Sequence, residues 1–156
     1  MTPDVGMIGM NRMATVLATV FLASTFAGTA KAGIKTQWVD YTQGDTALRG
    51  YLAYDDSIPS RRPGLLLVHR YDGMSELTLQ NAQMIARQGY VVFAADIFGR
   101  DVHPKDVPEM VAQSSIYNND RPLMRARAQA GLDVLRGNAM VDPAQNSRSS
   151  AIASAA

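Results

Sequence analysis

The 156-residue sequence contains no cysteine, one tryptophan and two histidines. The absence of cysteine excludes disulfide bonds and thiolate chemistry within these residues. Neither charge sign dominates, since 15 basic and 14 acidic residues leave a net charge of +1. This balance gives no reason to expect nucleic acid or an anionic membrane as a partner. Apolar residues make up 47% of the chain and charged residues 19%, which is typical of a globular protein with room for one domain.

Glycine-rich phosphate motifs are also missing. The chain has neither the Gly-x-Gly-x-x-Gly spacing of dinucleotide-binding folds nor the lysine of a P-loop. We therefore expect no nucleotide cofactor, and we predict that the protein uses no cofactor or metal at all.

No apolar run is long enough for a membrane span of roughly 20 residues. The longest candidate covers residues 13–27 and follows the positive charge of Arg12. Ala30 and Ala32 flank Lys31 in the small-x-small pattern of a signal peptidase site. The pattern predicts that residues 1–32 are a secretory signal peptide, that the mature protein begins at Gly33, and that it is secreted or periplasmic. The alternative is a membrane anchor; after cleavage we expect no stable span.

The pattern of apolar residues predicts an α/β fold. Residues 36–41 and 47–54 alternate across a glycine-containing turn, which indicates an antiparallel hairpin. Residues 64–68 and 90–95 are continuously apolar, as in strands buried on both faces of a parallel sheet. A helix predicted over residues 76–88 would connect them as a right-handed crossover.

Two more helices are predicted beyond the second buried strand. The first covers residues 106–117 and is entered through two prolines. The second begins after a capping Asp120 and ends near Gly137. No internal repeat is present.

Several stretches together resemble the dienelactone hydrolase family. They are residues 50–53 (GYLA), 62–69 (RPGLLLVH), 86–99 (ARQGYVVFAADIFG), 123–127 (LMRAR) and 131–135 (GLDVL). The resemblance runs from about Val39 to Pro143, roughly the first half of the family's domain. It implies an α/β-hydrolase fold, built here as an N-terminal β-hairpin plus parallel strands with crossover helices. It also implies hydrolysis of a small ester or lactone by a Cys (sometimes Ser), Asp and His triad.

Four residues after the first buried strand and near the second are candidates for the pocket. By position in the family, the backbone N–H of Tyr71 would form half of an oxyanion hole; the alternative is a plain turn aromatic. Arg70 stands where the family often has glutamate. It could stabilise a thiolate or hold a carboxylate substrate, or be an ordinary cation at the rim. His69 fits a hydrogen-bonded residue at the core edge better than a base. Arg100 could contact an anionic substrate or be solvated in its loop.

Two further polar residues receive structural interpretations. Asp96 follows the end of a buried strand and could cap a turn there. His103 lies in a proline-flanked loop with no acidic partner at a useful spacing, which favours a surface position.

The chain after Pro143 does not continue the family pattern, which calls for a strand ending in the nucleophile. Residues 144–156 form a small-residue tail instead. With suitable synonymous codons, a shifted reading of this tail from Asn146 gives FAIIGYCFGG, an apolar strand leading into the family's nucleophile turn. We therefore interpret the tail as non-native or frameshifted; the alternative is a genuine disordered tail. A chain truncated before its nucleophile, acid and histidine is predicted to be inactive and to leave a sheet edge exposed. The competing hypothesis is an exported, non-enzymatic module that binds an anion or small molecule.

Overall fold

The computed structural model describes residues 33–146 and 152–154. The predicted signal peptide and most of the tail lie outside the described residues. The strands are β1 (Ile34–Gln43), β2 (Thr46–Asp55), β3 (Gly64–Val68), β4 (Val91–Ala95) and β5 (Ile152–Ser154). The helices are α1 (Glu76–Ala86), α2 (Val107–Asn119), α3 (Arg121–Arg136) and α4 (Pro143–Asn146).

The strands form one mixed sheet in the order β1-β2-β4-β3-β5. β1 and β2 form the predicted antiparallel hairpin, which turns at Gly44 with a φ of 54°. A positive φ of this size favours glycine because it lacks a Cβ. β2 is antiparallel to β4, whereas β3 is parallel to both β4 and β5. The fold is therefore α/β, with the hairpin feeding a parallel sheet as the sequence predicts.

The core has two halves because successive side chains of β4 point to opposite faces of the sheet. Val92 and Ala94 pack on the face covered by α1, with Ala82 and Ala86 from that helix. On the other face lie three further β4 residues and Leu135 of α3. All five β4 residues are completely buried, which explains their continuous apolar sequence. Because both faces of this strand are covered, its sequence does not alternate between apolar and polar residues.

Short polar side chains begin the three long helices. The Ser75 hydroxyl accepts a hydrogen bond from the Thr78 N–H at 3.4 Å. Asp106 caps α2 in the same way, and Asp120 caps α3 by accepting from the Leu123 N–H at 3.0 Å. These caps supply acceptors for the free N–H groups of the first helical turns. α1 ends two residues earlier than the sequence predicts, and β4 begins one residue later.

The last described residues differ most from the sequence-based expectation. α4 crosses the predicted boundary between residues 143 and 144, and β5 is a strand that the sequence does not predict. β5 pairs in parallel with β3, with Ile152 opposite Leu66 and Ser154 opposite Val68. Because any extended backbone can satisfy the free groups of a sheet edge, β3 has a ladder partner where the sequence predicts an exposed edge.

Among the described residues, no helix combines the length and the apolar character that a transmembrane span requires.

Candidate active site

The ends of two parallel strands define the candidate site. Val68 at the end of β3 lies opposite Ala95 at the end of β4, so the two following turns are neighbours. The first turn contains His69, Arg70 and Tyr71, and the second begins at Asp96. In open α/β sheets, ligands bind beyond the carboxyl ends of the strands. The candidate site is therefore the space between these two turns and the helices α2 and α3.

His69 connects the two turns through both of its ring nitrogens. Nδ1 lies 2.7 Å from the carbonyl oxygen of Arg70, and Nε2 accepts a hydrogen bond from the Ile97 N–H at 3.1 Å. Nε2 can accept only in a neutral ring, so the proton is on Nδ1, which donates to the carbonyl. Burial lowers the pKa of His69 below its ordinary value of 6.5, which favours the same neutral form. The ring also packs edge-on against Phe98, with centroids 4.6 Å apart.

The turn after β3 is closed by a hydrogen bond from the Gly73 N–H to the Arg70 carbonyl, at 3.1 Å. Gly73 has a φ of 70°, and a Cβ at this position would lie 3.2 Å from the Phe98 ring. The Tyr71 side chain is 41% exposed, and the Arg70 guanidinium lies 5.3 Å from the centre of its ring. The Tyr71 backbone N–H makes no hydrogen bond to another described residue. Within the described part of the chain it is an unpaired donor, three residues beyond the end of β3, as an oxyanion hole requires.

Asp96 holds the second turn in place. One carboxylate oxygen accepts from the N–H groups of Phe98 and Gly99, both at 2.9 Å, and the other accepts from the Arg49 N–H at 3.1 Å. The hydroxyl of the partly buried Tyr41 accepts from the Asp96 N–H at 3.0 Å, and burial raises the pKa of this phenol. Asp96 is itself buried, and each of its oxygens is already hydrogen-bonded. Its role is structural, in agreement with the sequence-based interpretation.

A cavity of about 600 Å³ opens between the two turns and the helices α2 and α3. His69, Arg70 and Tyr71 line it together. The other lining residues come from the strand ends and from both helices. They are Val68, Ile97, Phe98, Ser114, Tyr117, Asn118, Arg121, Met124, Arg125 and Ala128. This volume suits a small organic ligand.

Arg100 lies elsewhere. It lines a separate cavity of about 570 Å³, together with His103 and Trp38, on the side of the β1–β2 hairpin. Its Nε is 3.4 Å from a carboxylate oxygen of Asp101. His103 is exposed. The structure thus brings three of the four predicted pocket residues together and places Arg100 in the second cavity. Phe98 lines both cavities.

Several residues of the first cavity are not predicted from the sequence. Arg121 and Arg125 lie one helical turn apart at the start of α3, and both line it. Their spacing is visible in the sequence, but it does not reveal which side of α3 faces a cavity. Phe98 and Tyr117 are stacked with ring centroids 5.4 Å apart and form part of the wall. Tyr117 is fixed by donating its hydroxyl to the Phe98 carbonyl at 2.8 Å.

No metal site is formed by residues 33–146: no group of three or more histidine or acidic side chains there could hold an ion. The side chains that line the first cavity also lack a nucleophile–base pair. Ser114 lines the cavity but donates its hydroxyl to the Val111 carbonyl at 3.1 Å. Both nitrogens of His69 are occupied, so it cannot take a proton from a neighbouring hydroxyl without losing a hydrogen bond.

A sheet that is parallel at β4-β3-β5, covered by helices on both faces and carrying an oxyanion-type turn after β3, defines the α/β-hydrolase fold. Comparison with known proteins gives the family within that fold. The model of the dienelactone hydrolase family matches residues 48–147, which is more than half of the chain. The chain therefore belongs to the dienelactone hydrolase family, a family of hydrolases.

Solved structures agree with this assignment. The chain is 28% identical to a structure named m3DLH, with a TM-score of 0.66. This match includes 70% of the present chain. It is 31% identical to P91, a dienelactone hydrolase-like promiscuous phosphotriesterase from metagenomic libraries, with a TM-score of 0.65. A dienelactone hydrolase from Klebsiella pneumoniae, 19% identical with a TM-score of 0.51 over 65% of this chain and 41% of that one, shares the fold. The chain spans 46% of the length of the first two structures. No curated protein matches it.

Proposed function

We propose that this chain supplies one side of the active site of an enzyme that hydrolyses small esters or lactones. One observation carries the proposal: the free Tyr71 N–H lies at the end of β3 beside a cavity of about 600 Å³. An N–H in this position can stabilise the oxyanion that develops when a nucleophile attacks an ester carbonyl. Because this is a backbone role, it does not depend on the tyrosine side chain.

We infer that the nucleophile, the acid and the catalytic histidine are not among the described residues. The sequence has no cysteine, and the bonds of His69 and Ser114 leave no base beside a free hydroxyl. Without a nucleophile there is no covalent route to hydrolysis. We therefore propose that the 156-residue polypeptide is inactive and that catalysis requires sequence which it does not contain.

The shifted reading of the tail offers a source for the nucleophile. β5 comes from this tail and lies parallel to β3, so the edge of β3 has room for one more parallel strand. In the shifted reading the codons of Ile152 and Ala153 give the cysteine, and the apolar strand FAII comes from the preceding residues. We propose that the gene contains a frameshift between the codons of about Pro143 and Asn146, and that another frame encodes FAIIGYCFGG.

Sequencing the gene and assaying its products tests both proposals. We expect the restored reading frame to encode a cysteine in this motif and, further on, an aspartate and a histidine. The restored protein should hydrolyse p-nitrophenyl acetate, and replacing its motif cysteine with alanine should lower kcat by about 1,000-fold or more. The 156-residue protein should not exceed the buffer rate. Closed or unrelated frames would disprove the frameshift, and hydrolysis by the 156-residue protein would disprove its inactivity.

A second candidate function is a non-enzymatic module that binds an anion at the turn formed by residues 69–73. The free Tyr71 N–H and the adjacent Arg70 guanidinium favour it. This alternative requires a stable, monomeric 156-residue protein with saturable binding of acetate. A restored frame with a complete triad would exclude it as the main function.

A further inference from the structure

The cavity wall carries three guanidinium groups and no carboxylate. Arg70 comes from the turn after β3, whereas Arg121 and Arg125 come from the first turns of α3. None of the other lining residues is acidic. The mature chain as a whole has equal numbers of acidic and basic residues, 13 of each from Gly33 onward. The excess of positive charge is therefore a local property of this cavity.

The three arginines have no counter-ion among the described residues. The ion pairs formed there involve other cations: Lys35, Arg49, Arg100 and Arg136. Asp120 is the neighbour of Arg121 in the chain, but one of its carboxylate oxygens accepts the Leu123 N–H as the cap of α3. Arg70 lies over the Tyr71 ring. The cavity thus concentrates positive charge that the described part of the protein does not neutralise.

Arg121 and Arg125 are four positions apart in the sequence, so they are neighbours on one side of α3. Like charges at this spacing repel each other, and a bound anion would remove that repulsion. Each guanidinium can donate two parallel N–H bonds to a pair of oxygens. Two such groups side by side match an oxyanion with three terminal oxygens and two negative charges better than a carboxylate with two oxygens and one charge.

Much of the remaining wall is apolar, although Ser114 and Asn118 also line it. Val68, Ile97, Phe98, Met124 and Ala128 line the same cavity. The Phe98 ring is held between His69 and Tyr117, with centroids 4.6 Å and 5.4 Å away. This surface can pack against the body of a ligand while the arginines hold its charged end. A volume of about 600 Å³ accommodates an aromatic ring together with a charged group.

We propose that Arg121 and Arg125 form a subsite for a dianionic phosphate monoester group, and that the natural substrate is an ester or lactone whose apolar body bears such a group. Arg70 contributes positive charge from the opposite turn. The inference rests on the proposed function, because it takes the same cavity as the active site. It assigns substrate recognition to α3, away from the oxyanion turn.

Calorimetric titration of the purified 156-residue protein tests the subsite without hydrolysis. The probes are phenyl phosphate, benzoate and benzamide, which share a ring and carry two, one and no negative charges near neutral pH. We expect phenyl phosphate to bind at least about tenfold more tightly than benzoate, and benzamide to bind weakest. The double variant R121Q/R125Q should weaken phenyl phosphate binding by about tenfold or more and leave benzamide unchanged.

The matched control is R136Q, at the other end of α3. Arg136 pairs with Asp133 at 4.0 Å and does not line the cavity, so phenyl phosphate should bind this variant within about twofold of the parent. Both subsite arginines are exposed, and equal melting temperatures verify that the variants fold. Equal binding of phenyl phosphate and benzoate, no saturable binding, or no effect of R121Q/R125Q would overturn the proposal.

The outcome is separable from that of the proposed function. A restored enzyme that fails to hydrolyse esters, beside a 156-residue protein whose phosphate binding depends on Arg121 and Arg125, would reject the reaction and retain the subsite. A restored enzyme that hydrolyses p-nitrophenyl acetate while R121Q/R125Q has no effect on phosphate binding would retain the reaction and reject the subsite.

Discussion

Both ring nitrogens of His69 are bonded to backbone groups, one in its own turn and one in the turn after β4. Adding a proton to Nε2 would break the bond from the Ile97 N–H and place a charge in a buried site. A neutral histidine in this position joins the two turns that frame the cavity. It contributes to the site through geometry, and it is not available as a general base.

The buried His69 should make stability depend on pH in a defined direction. Its folded-state pKa lies below the unfolded value of 6.5, so the unfolded chain binds the proton more readily. The free energy of unfolding should therefore have its full value above pH 6.5 and fall as the pH decreases through that value toward the folded-state pKa. Urea unfolding between about pH 5 and about pH 8 measures this dependence.

The variants H69Q and H103Q separate this contribution from that of other groups. H69Q should be less stable by about 1–3 kcal/mol above neutral pH, and its difference from the parent should shrink as the pH falls. H103Q alters an exposed loop residue and should follow the parent curve. Parallel curves for the parent and H69Q would contradict the prediction.

The sequence predicts the local roles of single side chains better than their grouping. Asp120 caps its helix as predicted, because capping depends on a residue only three positions away. The separation of Arg100 from Arg70 could not be predicted in the same way. The position of Arg100 depends on the hydrogen bonds of Asp96, which shape the turn after β4. It also depends on Phe98, which lines both cavities.

Helix α3 approaches the sheet closely at Gly131. A Cβ at this position would lie 2.7 Å from the Cβ of Ala95 and 3.4 Å from the Phe93 ring. The first distance is about 1 Å shorter than an ordinary carbon–carbon contact. Glycine is therefore required here by space, since residue 131 is in the middle of a regular helix.

We expect G131A to destabilise the protein by about 1–2 kcal/mol. Alanine stabilises a helix relative to glycine by about 1 kcal/mol, whereas overpacking costs about 1–3 kcal/mol. The overpacking cost should dominate, because Ala95 lies on the central strand β4, whose backbone is held by strands on both sides. Chemical denaturation measures the change. The control is G137A at the end of α3, where a Cβ would meet nothing closer than 3.5 Å, and it should be neutral or stabilising. An equally stable G131A would show that the helix shifts at no cost.

The arrangement of strands and helices follows from the sequence where burial produces a clear pattern. β3 and β4 are recognised as buried strands because their residues are continuously apolar, and α3 because its apolar residues recur with helical spacing. β5 has no such pattern, since it consists of three residues from a tail of small side chains. Its pairing is determined by the free edge of β3, which is a property of the assembled sheet.

For the whole chain, the predicted signal peptide determines the compartment. We propose that the protein is exported, because residues 11–32 combine a positive start, a short apolar run and a small-x-small cleavage pattern. Removing residues 1–32 takes away Asp4, Arg12 and Lys31, which leaves a mature chain of zero net charge. Such a chain has no electrostatic reason to remain on nucleic acid or an anionic membrane after export.

Expression with a C-terminal tag in a Gram-negative bacterium tests export. We expect the protein in the periplasmic fraction, with an N-terminal sequence beginning at Gly33. The variant A32R should accumulate as the uncleaved precursor, because signal peptidase requires a small residue at the cleavage site. The control is R61Q, an exposed position outside the signal, and this variant should be cleaved like the parent. A full-length protein confined to the cytoplasm would reject the proposal.

The two sides of α3 carry different constraints. Arg127, Gly131 and Leu135 are buried toward the sheet, whereas Arg121 and Arg125 are exposed and line the cavity. A substitution at either of the latter positions changes the chemistry of the cavity without altering the packing of the core. Under the proposed subsite, a single mutation at either position would change which ligands the cavity prefers, while the inherited scaffold stays intact.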